Sequence, residues 1–142
     1  MNERKSIERG NVLIELFRED FPRKTLIDVI SYVTGPMGRA TTGYLNSYIE
    51  DGTWYLDTTY THEGYRRQGL SRERLKTALK YIESNRIPVK VVEAIQVGFL
   101  GIEGVPHVEH LGFVRKEEPE NWTISMEKLK DSLNKEWPEK KI

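Results

Sequence analysis

Arg66, Arg67, Gln68, Gly69, Leu70, Ser71 and Arg72 place three cations and a glycine at the head of an amphipathic run, all within seven residues. The first N–H groups of a helix have no intrahelical acceptor, and the helix dipole adds partial positive charge there. A glycine lets backbone come close to a ligand, and flanking arginines add formal charge. These residue types in this order suit a pyrophosphate. They equally suit a basic turn that only opens a surface helix. His62, His107 and His110 show no metal-ligand spacing with neighbouring acids, so no metal is expected.

The elements around this turn read as follows. Residues 1 to 10 are polar and expected to be loosely held. Asn11 to Asp20 reads as a helix with Val12, Leu13, Leu16 and Phe17 on one face and Asn11 as N-cap, or as a strand with Val12, Ile14 and Leu16 on one side. The helix is the preferred reading. Leu26–Val33, Thr41–Ile49 and Thr53–Thr61 form three runs of strand-forming residues, separated by Gly35-Pro36-Met37-Gly38 and by Glu50-Asp51-Gly52. An antiparallel meander follows.

Leu70 to Ser84 carries an apolar stripe of Leu70, Leu75, Ala78, Leu79 and Ile82, with Arg72, Glu73, Lys76, Lys80 and Glu83 outward, and predicts a long helix stopped before Pro88. Val89–Val97 is a strand, placed parallel to Thr53–Thr61 by a crossover. A glycine-broken stretch, Gly98 to Pro106, leads to a short helix at His107–Leu111. Phe113–Glu117 and Trp122–Leu129 read as a closing strand pair, followed by a charged tail that could form a terminal helix.

The 142 residues suffice for one domain with a core and are too few for two, with 1–10 and 130–142 as loose or accessory ends. Twenty-two basic and 22 acidic side chains cancel, which disfavours broad nucleic-acid binding, including one built on Arg66, Arg67, Arg72 and Arg74. Without cysteine there is no disulfide, zinc–thiolate site or thiol nucleophile. No apolar run reaches the roughly 20 residues of a membrane span, and the first residues lack the apolar centre of a signal peptide. A soluble cytoplasmic protein is the expectation.

Two motifs in this order resemble the GNAT superfamily of N-acetyltransferases. Arg66-Arg67-Gln68-Gly69-Leu70-Ser71 is similar to the family's Arg/Gln-x-x-Gly-x-Gly/Ala turn, entered from a strand through Tyr65-Arg66. Leu111-Gly112-Phe113 is similar to its Leu-Gly-Phe signature. The motifs span roughly residues 53 to 114. The resemblance implies an α/β fold with a mixed, mostly antiparallel central sheet, flanking helices and a strand–phosphate turn–helix cofactor site.

It further implies acetyl-CoA as cosubstrate, its pyrophosphate on the N–H groups of Arg67 to Arg72. Thr59, Tyr60 and Thr61 would pair with the pantetheine arm, a backbone N–H near Tyr60 polarising the thioester. The acetyl group would pass directly to a small-molecule or peptide amine in a ternary complex. The alternative is a non-catalytic GNAT-fold module that binds CoA or a protein.

Ser71 stands where the family prefers Gly or Ala. Val108 stands where a tyrosine general acid is common, and Gly98–Pro106 lacks the asparagine some members use. Glu93 is the first candidate base, alternating onto one face with Val89, Val91, Ile95 and Val97, where burial would favour a neutral carboxyl and so a useful base. Asp57 is second. Tyr60, His107 and His110 are the candidate acids. A homodimer through the last strand pair or the tail is open.

Overall fold

The computed structural model describes residues 2–66, 68–95, 109–116 and 121–135. Eight strands form one sheet: β1 (Asn2–Arg9), β2 (Val12–Asp20), β3 (Thr25–Gly35), β4 (Gly38–Glu50), β5 (Thr53–Thr61), β6 (Val91–Ala94), β7 (Val114–Arg115) and β8 (Trp122–Ser125). Their spatial order is β1-β2-β3-β4-β5-β6-β8-β7. All neighbours are antiparallel except β5 and β6, which run parallel. Helix α1 (Leu70–Ser84) links that parallel pair, and α2 (Met126–Asn134) follows β8. The expected mixed, mostly antiparallel sheet with a helix after the basic turn is therefore present. Among the described residues, no helix is long and apolar enough to cross a membrane.

Two N-terminal expectations are corrected. Asn11–Asp20 contributes a strand, not a helix, because period-two burial of Ile14 and Leu16 meets the core while the backbone pairs on both sides, with β1 and β3. Residues 2–9, expected to be loose, form the outermost strand. Charged, solvent-facing side chains suit a sheet edge. The meander turns behave as read: Asp51 and Gly52 both take positive φ, +49° and +76°, as a two-residue hairpin with the right twist requires.

At the C-terminal end, the strand expected over Trp122–Leu129 stops at Ser125. The Ser125 hydroxyl accepts from the Lys128 N–H at 3.2 Å and caps α2. Leu129 and Leu133, one helical turn apart, then bury against the core. Leu111-Gly112-Phe113 works through its backbone: Gly112 has φ +97°, while the buried Leu111 and Phe113 anchor either side of it.

The core lies between the sheet and the two helices. Ile14, Leu16, Ile27, Val29, Trp54, Leu56 and Val92 meet Leu75, Leu79, Ile82, Leu129 and Leu133 there. On α1 the predicted stripe is buried as read, but Arg74 and Tyr81 are buried with it. The opposite sheet face carries no helix among the described residues. β2 and β3 are joined by only the four residues Phe21 to Lys24, which leaves no room for one.

That bare face is partly shielded by cations of the chain itself. Arg4 lies over Phe17, Arg39 over Tyr32 and Lys24 over Tyr48, at 5.4, 4.4 and 5.3 Å from the ring centres. The buried Glu15 carboxylate holds Arg39 at 2.6 Å and also pairs with Arg4.

Candidate active site

Among the described residues, the pairing of β5 with β6 is shorter than its pairing with β4. β5 pairs with β4 along its whole length, Thr53 to Thr61, but with β6 only from Thr53 to Leu56, the last bond being Ile95 N–H to Leu56 O at 3.0 Å. Asp57 sits at the break. Asn46 faces Thr58 and Ser47 faces Leu56, so Asp57 is the extra residue of a β-bulge, and it is exposed. A bulge bends its strand and re-aims side chains. Beyond it, the β5 edge from Asp57 to Thr61 has no partner strand on the β6 side among the described residues.

Thr59, Tyr60 and Thr61 occupy that edge. Thr59 and Thr61 are buried toward α1, and Tyr60 faces the other way. The Tyr60 ring is flanked by Tyr44 at 5.9 Å, by His62 edge-on at 5.0 Å and by the Arg66 guanidinium at 5.8 Å. Arg66 Nε also donates to Thr61 O at 2.9 Å. The Tyr60 carbonyl points toward β4, since a Cβ built on Gly43 would lie 2.2 Å from it. In a trans peptide the next N–H points the opposite way. The Thr61 N–H is therefore directed away from β4.

The basic turn then begins α1. Gly69 is its N-cap with φ +77° and ψ +11°, a left-handed conformation that disfavours residues with a Cβ. A Cβ there would meet nothing within 4 Å, so the glycine is required by its backbone angle and not by crowding. No N-cap side chain covers the helix start, so the first-turn donors face outward from a positive helix end. Gln68 and Gly69 are exposed, and Leu70 anchors the helix in the core. Ser71 is half-buried. The Arg72 guanidinium donates to Leu133 O and Lys135 O and so caps the end of α2. Arg67 lies outside the described residues, as do His107, Val108 and the Gly98–Pro106 stretch.

Arg74 carries the largest departure from the sequence reading. It is 0% exposed. Its Nη1 donates to Ser31 Oγ at 3.0 Å, and its Nη2 donates to Tyr60 O at 3.0 Å and to Thr61 Oγ1 at 2.6 Å. Thr42 Oγ1 donates to Ser31 Oγ at 2.8 Å, extending the network across three strands. Arg74 thus lies inside, and the Arg72 guanidinium is held by carbonyls at the end of α2. The helical period places Arg74, four residues from both Leu70 and Ala78, on the apolar stripe, and that spacing is the signal that could have found it; the small polar partners on β3, β4 and β5 make its burial tolerable.

Glu93 does not sit on an apolar face. Val92 and Ala94 turn into the core, whereas Val91 is exposed on the Glu93 side, and Val97 is outside the described residues. The Glu93 carboxylate, 12% exposed, accepts from Lys116 Nζ at 2.9 Å and from Asn121 Nδ2 at 3.5 Å. By register it continues the row Leu26, Tyr48, Tyr55, Glu93 across the bare face, where Tyr48 and Tyr55 stack at 4.9 Å. Asp28, Asn46 and Thr58 form the next row, beside Asp57. This face is thus acidic and aromatic around the bulge, a chemistry suited to a cationic amine. Among the described residues, no group of three or more His, Asp or Glu side chains is gathered as metal ligands would be.

Burial raises the Asp28 carboxyl above the ordinary aspartate range, the Ser47 N–H opposes this, and Asp57 and Glu19 add to the rise. The folded state therefore binds this proton more tightly than the unfolded chain. Stability from this group is fully present below the unfolded value and is lost as pH rises toward the raised one. Asp28→Asn is expected to remove that loss. Melting temperatures of the two proteins should diverge in the variant's favour as pH climbs from about 4. A gap that narrows over the same range would contradict the assignment.

Neither a protein-family model nor a curated protein matches this sequence, but solved structures do. The chain is similar to a GNAT-family N-acetyltransferase (YhbS) from Escherichia coli in complex with CoA, at 18% identity and TM-score 0.50, over 76% of this chain and 62% of that one. It is similar to a domain from Methanocaldococcus jannaschii at 15% identity and TM-score 0.50, over 70% of this chain and 66% of that one. The chain thus spans slightly less than two thirds of either. At these identities the likeness is one of fold, and the fold is the GNAT fold.

Proposed function

From a chain that carries the GNAT fold, we propose an acetyl-CoA-dependent N-acetyltransferase that passes the acetyl group directly to a primary amine. The observation that carries this reading is that, among the described residues, β5 pairs with β6 no further than Leu56 and runs on to a helix start at Gly69 that has no side-chain cap. An extended pantetheine arm would complete the β5 edge at Thr59–Thr61. The pyrophosphate would rest on the turn from Arg66 to Arg72, backbone donors doing most of the work because Arg72 Nη2 already serves α2.

The reaction is one bond exchange. The amine nitrogen attacks the thioester carbon, the carbonyl oxygen takes negative charge facing edge N–H groups, and the C–S bond breaks as the amide forms. The amine proton goes to a carboxylate, and the thiolate leaves as thiol after taking a proton from Tyr60 or water. Asp57 is the better-supported base, being exposed at the bulge on the acidic face. Glu93 would first have to release Lys116. Absence of cysteine favours direct transfer, since no thiol acyl-enzyme can form.

Thermal denaturation with acetyl-CoA, CoA and ATP tests the reading. Either CoA species at about 100 times its dissociation constant should add roughly 2.7 kcal/mol of stability. No shift with either CoA species would remove both the enzyme and a CoA-binding module. If CoA binds, thiol release with an amine panel separates the two, and the chain contributes no thiol background.

A further inference from the structure

We propose that the amine acceptor is a linear diamine, one amino group at Asp57 and a second protonated nitrogen between Asp28 and Glu19. The inference deepens the acetyltransferase reading, and it rests on that reading for calling the bound amine a substrate. The sheet face away from α1 and α2 is shaped as a trough. Asp28, Asn46 and Thr58 form a polar row across β3, β4 and β5, with Asp57 bulged beside Thr58. Tyrosines stand on both banks. Tyr48 and Tyr55 stack at 4.9 Å on one side, and Tyr44 and Tyr60 lie 5.9 Å apart on the other. Asn46 and Asp57 are exposed, so solvent reaches the row.

At Asp28 the trough meets a cavity of about 330 Å³ whose apolar lining is Phe17 and Leu26. Most formal charges around that cavity are already spent within the chain. Glu3 pairs with Lys5, Arg4 with Glu15 and Arg18 with Asp20. Among the described residues, Glu19 and Asp28 are left without a cation partner. Burial raises the Asp28 carboxyl, the Ser47 N–H opposes the rise, and Asp57 and Glu19 add to it. The face elsewhere shows which charge it takes, since Lys24 lies over Tyr48 and Arg4 over Phe17.

Neighbouring strands are about 4.8 Å apart, which puts Asp28 and the Asp57 bulge roughly 10 Å from each other across β4. One ammonium cannot serve both carboxylates at that separation. Two nitrogens joined by a methylene chain can, the carbons crossing Asn46 between the tyrosine banks. The far nitrogen then supplies the charge that Asp28 and Glu19 lack, and the near one is presented to Asp57.

The test is calorimetric binding to the full chain, with and without CoA, of α,ω-diaminooctane, α,ω-diaminobutane and octylamine. Diaminooctane, whose nitrogens span about 10 Å, should bind at least about tenfold more tightly than either of the others, and salt should shrink its advantage. In Asp28→Asn the ratio of diaminooctane to octylamine affinity should collapse toward one, whereas a merely structural Asp28 would move both ligands alike. With acetyl-CoA present, the same variant should raise KM for diaminooctane by about tenfold and change kcat far less. Glu19→Gln alters an exposed side chain and should reduce the affinity ratio about threefold, which decides the matter if Asp28→Asn does not fold.

Octylamine bound as tightly as diaminooctane by wild type, or an affinity ratio unchanged in both variants, would overturn the proposal. So would turnover of a peptide amine without a second cation in preference to diaminooctane. The two readings fail separately. A chain that binds CoA but prefers octylamine loses this inference and keeps the acetyltransferase. A chain that binds diaminooctane through Asp28 but binds no CoA keeps the diamine site and loses its role as an acceptor site.

Discussion

Gly43→Ala is expected to destabilise the protein by about 3 kcal/mol or more, read as a fall in melting temperature on the order of 10 °C. The added Cβ would lie 2.2 Å from the Tyr60 carbonyl oxygen and 2.6 Å from Arg74 Nη1. The first contact is with backbone on the neighbouring strand, so no side-chain rotation relieves it. Relief requires β4 and β5 to part where Gly43 faces Thr61, or Arg74 to leave its site. Either movement strands buried polar groups, at roughly 1–3 kcal/mol each.

The Gly43 effect should be specific to that position. Gly35 lies in the same sheet, at the turn end of β3, with nothing within 4 Å of a built Cβ, and Gly35→Ala should change stability far less. Urea denaturation of the two variants side by side checks the contrast. Equal losses would mean that the Gly43 contact is not what constrains the sheet.

The second large effect is catalytic. Asp57→Asn is expected to lower kcat at neutral pH by about 100-fold, within the usual range for a lost general base, while CoA affinity stays within a few-fold. Asp57 makes the bulge at which β5 leaves β6, and its side chain is exposed beside Asn46, Thr58 and Asp28 on the acidic, aromatic face. The substitution is nearly isosteric, so the bulge should survive.

Glu93→Gln should cost much less turnover. Its measurable effect should be on stability, because the carboxylate that Lys116 and Asn121 share is replaced by a neutral group. For an ion pair of this partial exposure that loss is expected to be about 1 kcal/mol or less. The reverse pattern, with Glu93→Gln inactive and Asp57→Asn active, would return the base to Glu93.

The difference between these two carboxylates illustrates where reading the chain alone runs out. Glu93 attracted notice because alternation grouped it with Val91 and Ile95, an apolar set by composition. Which face of a strand meets the core depends on what packs against it. Here α1 and α2 cover the Val92 and Ala94 side, leaving Glu93 with Tyr55 and Lys116. Asp57 gave no pattern signal because a bulge is a relation between two strands, visible only when Ser47 and Asn46 are matched to Leu56 and Thr58. The same holds for Asn11–Asp20. Its apolar positions are compatible with either period, and the choice was decided by partners on both sides, β1 and β3.

By itself, the sequence determined the elements whose physics is local. The hairpin at Asp51-Gly52 needs positive φ at both residues, α1 follows from its stripe and its Gly69 start, and Leu111-Gly112-Phe113 carries its turn and anchors together. These, in order, were enough to indicate the fold; the pyrophosphate site at the basic turn is a proposal. Tertiary structure alone decided that, among the described residues, β5 pairs with β6 no further than Leu56 and one face is left without helices, and that the buried Arg74 finds its partners in Ser31, Tyr60 and Thr61. The reason is that a side chain's burial and a strand edge's vacancy depend on residues distant in the chain. Arg72 and Arg74, two positions apart on one helix, end respectively on the carbonyls of α2 and in the core; the helical period puts Arg74 on the stripe with Leu70 and Ala78, but only the polar groups of β3 and β5 decide that a guanidinium can stay there.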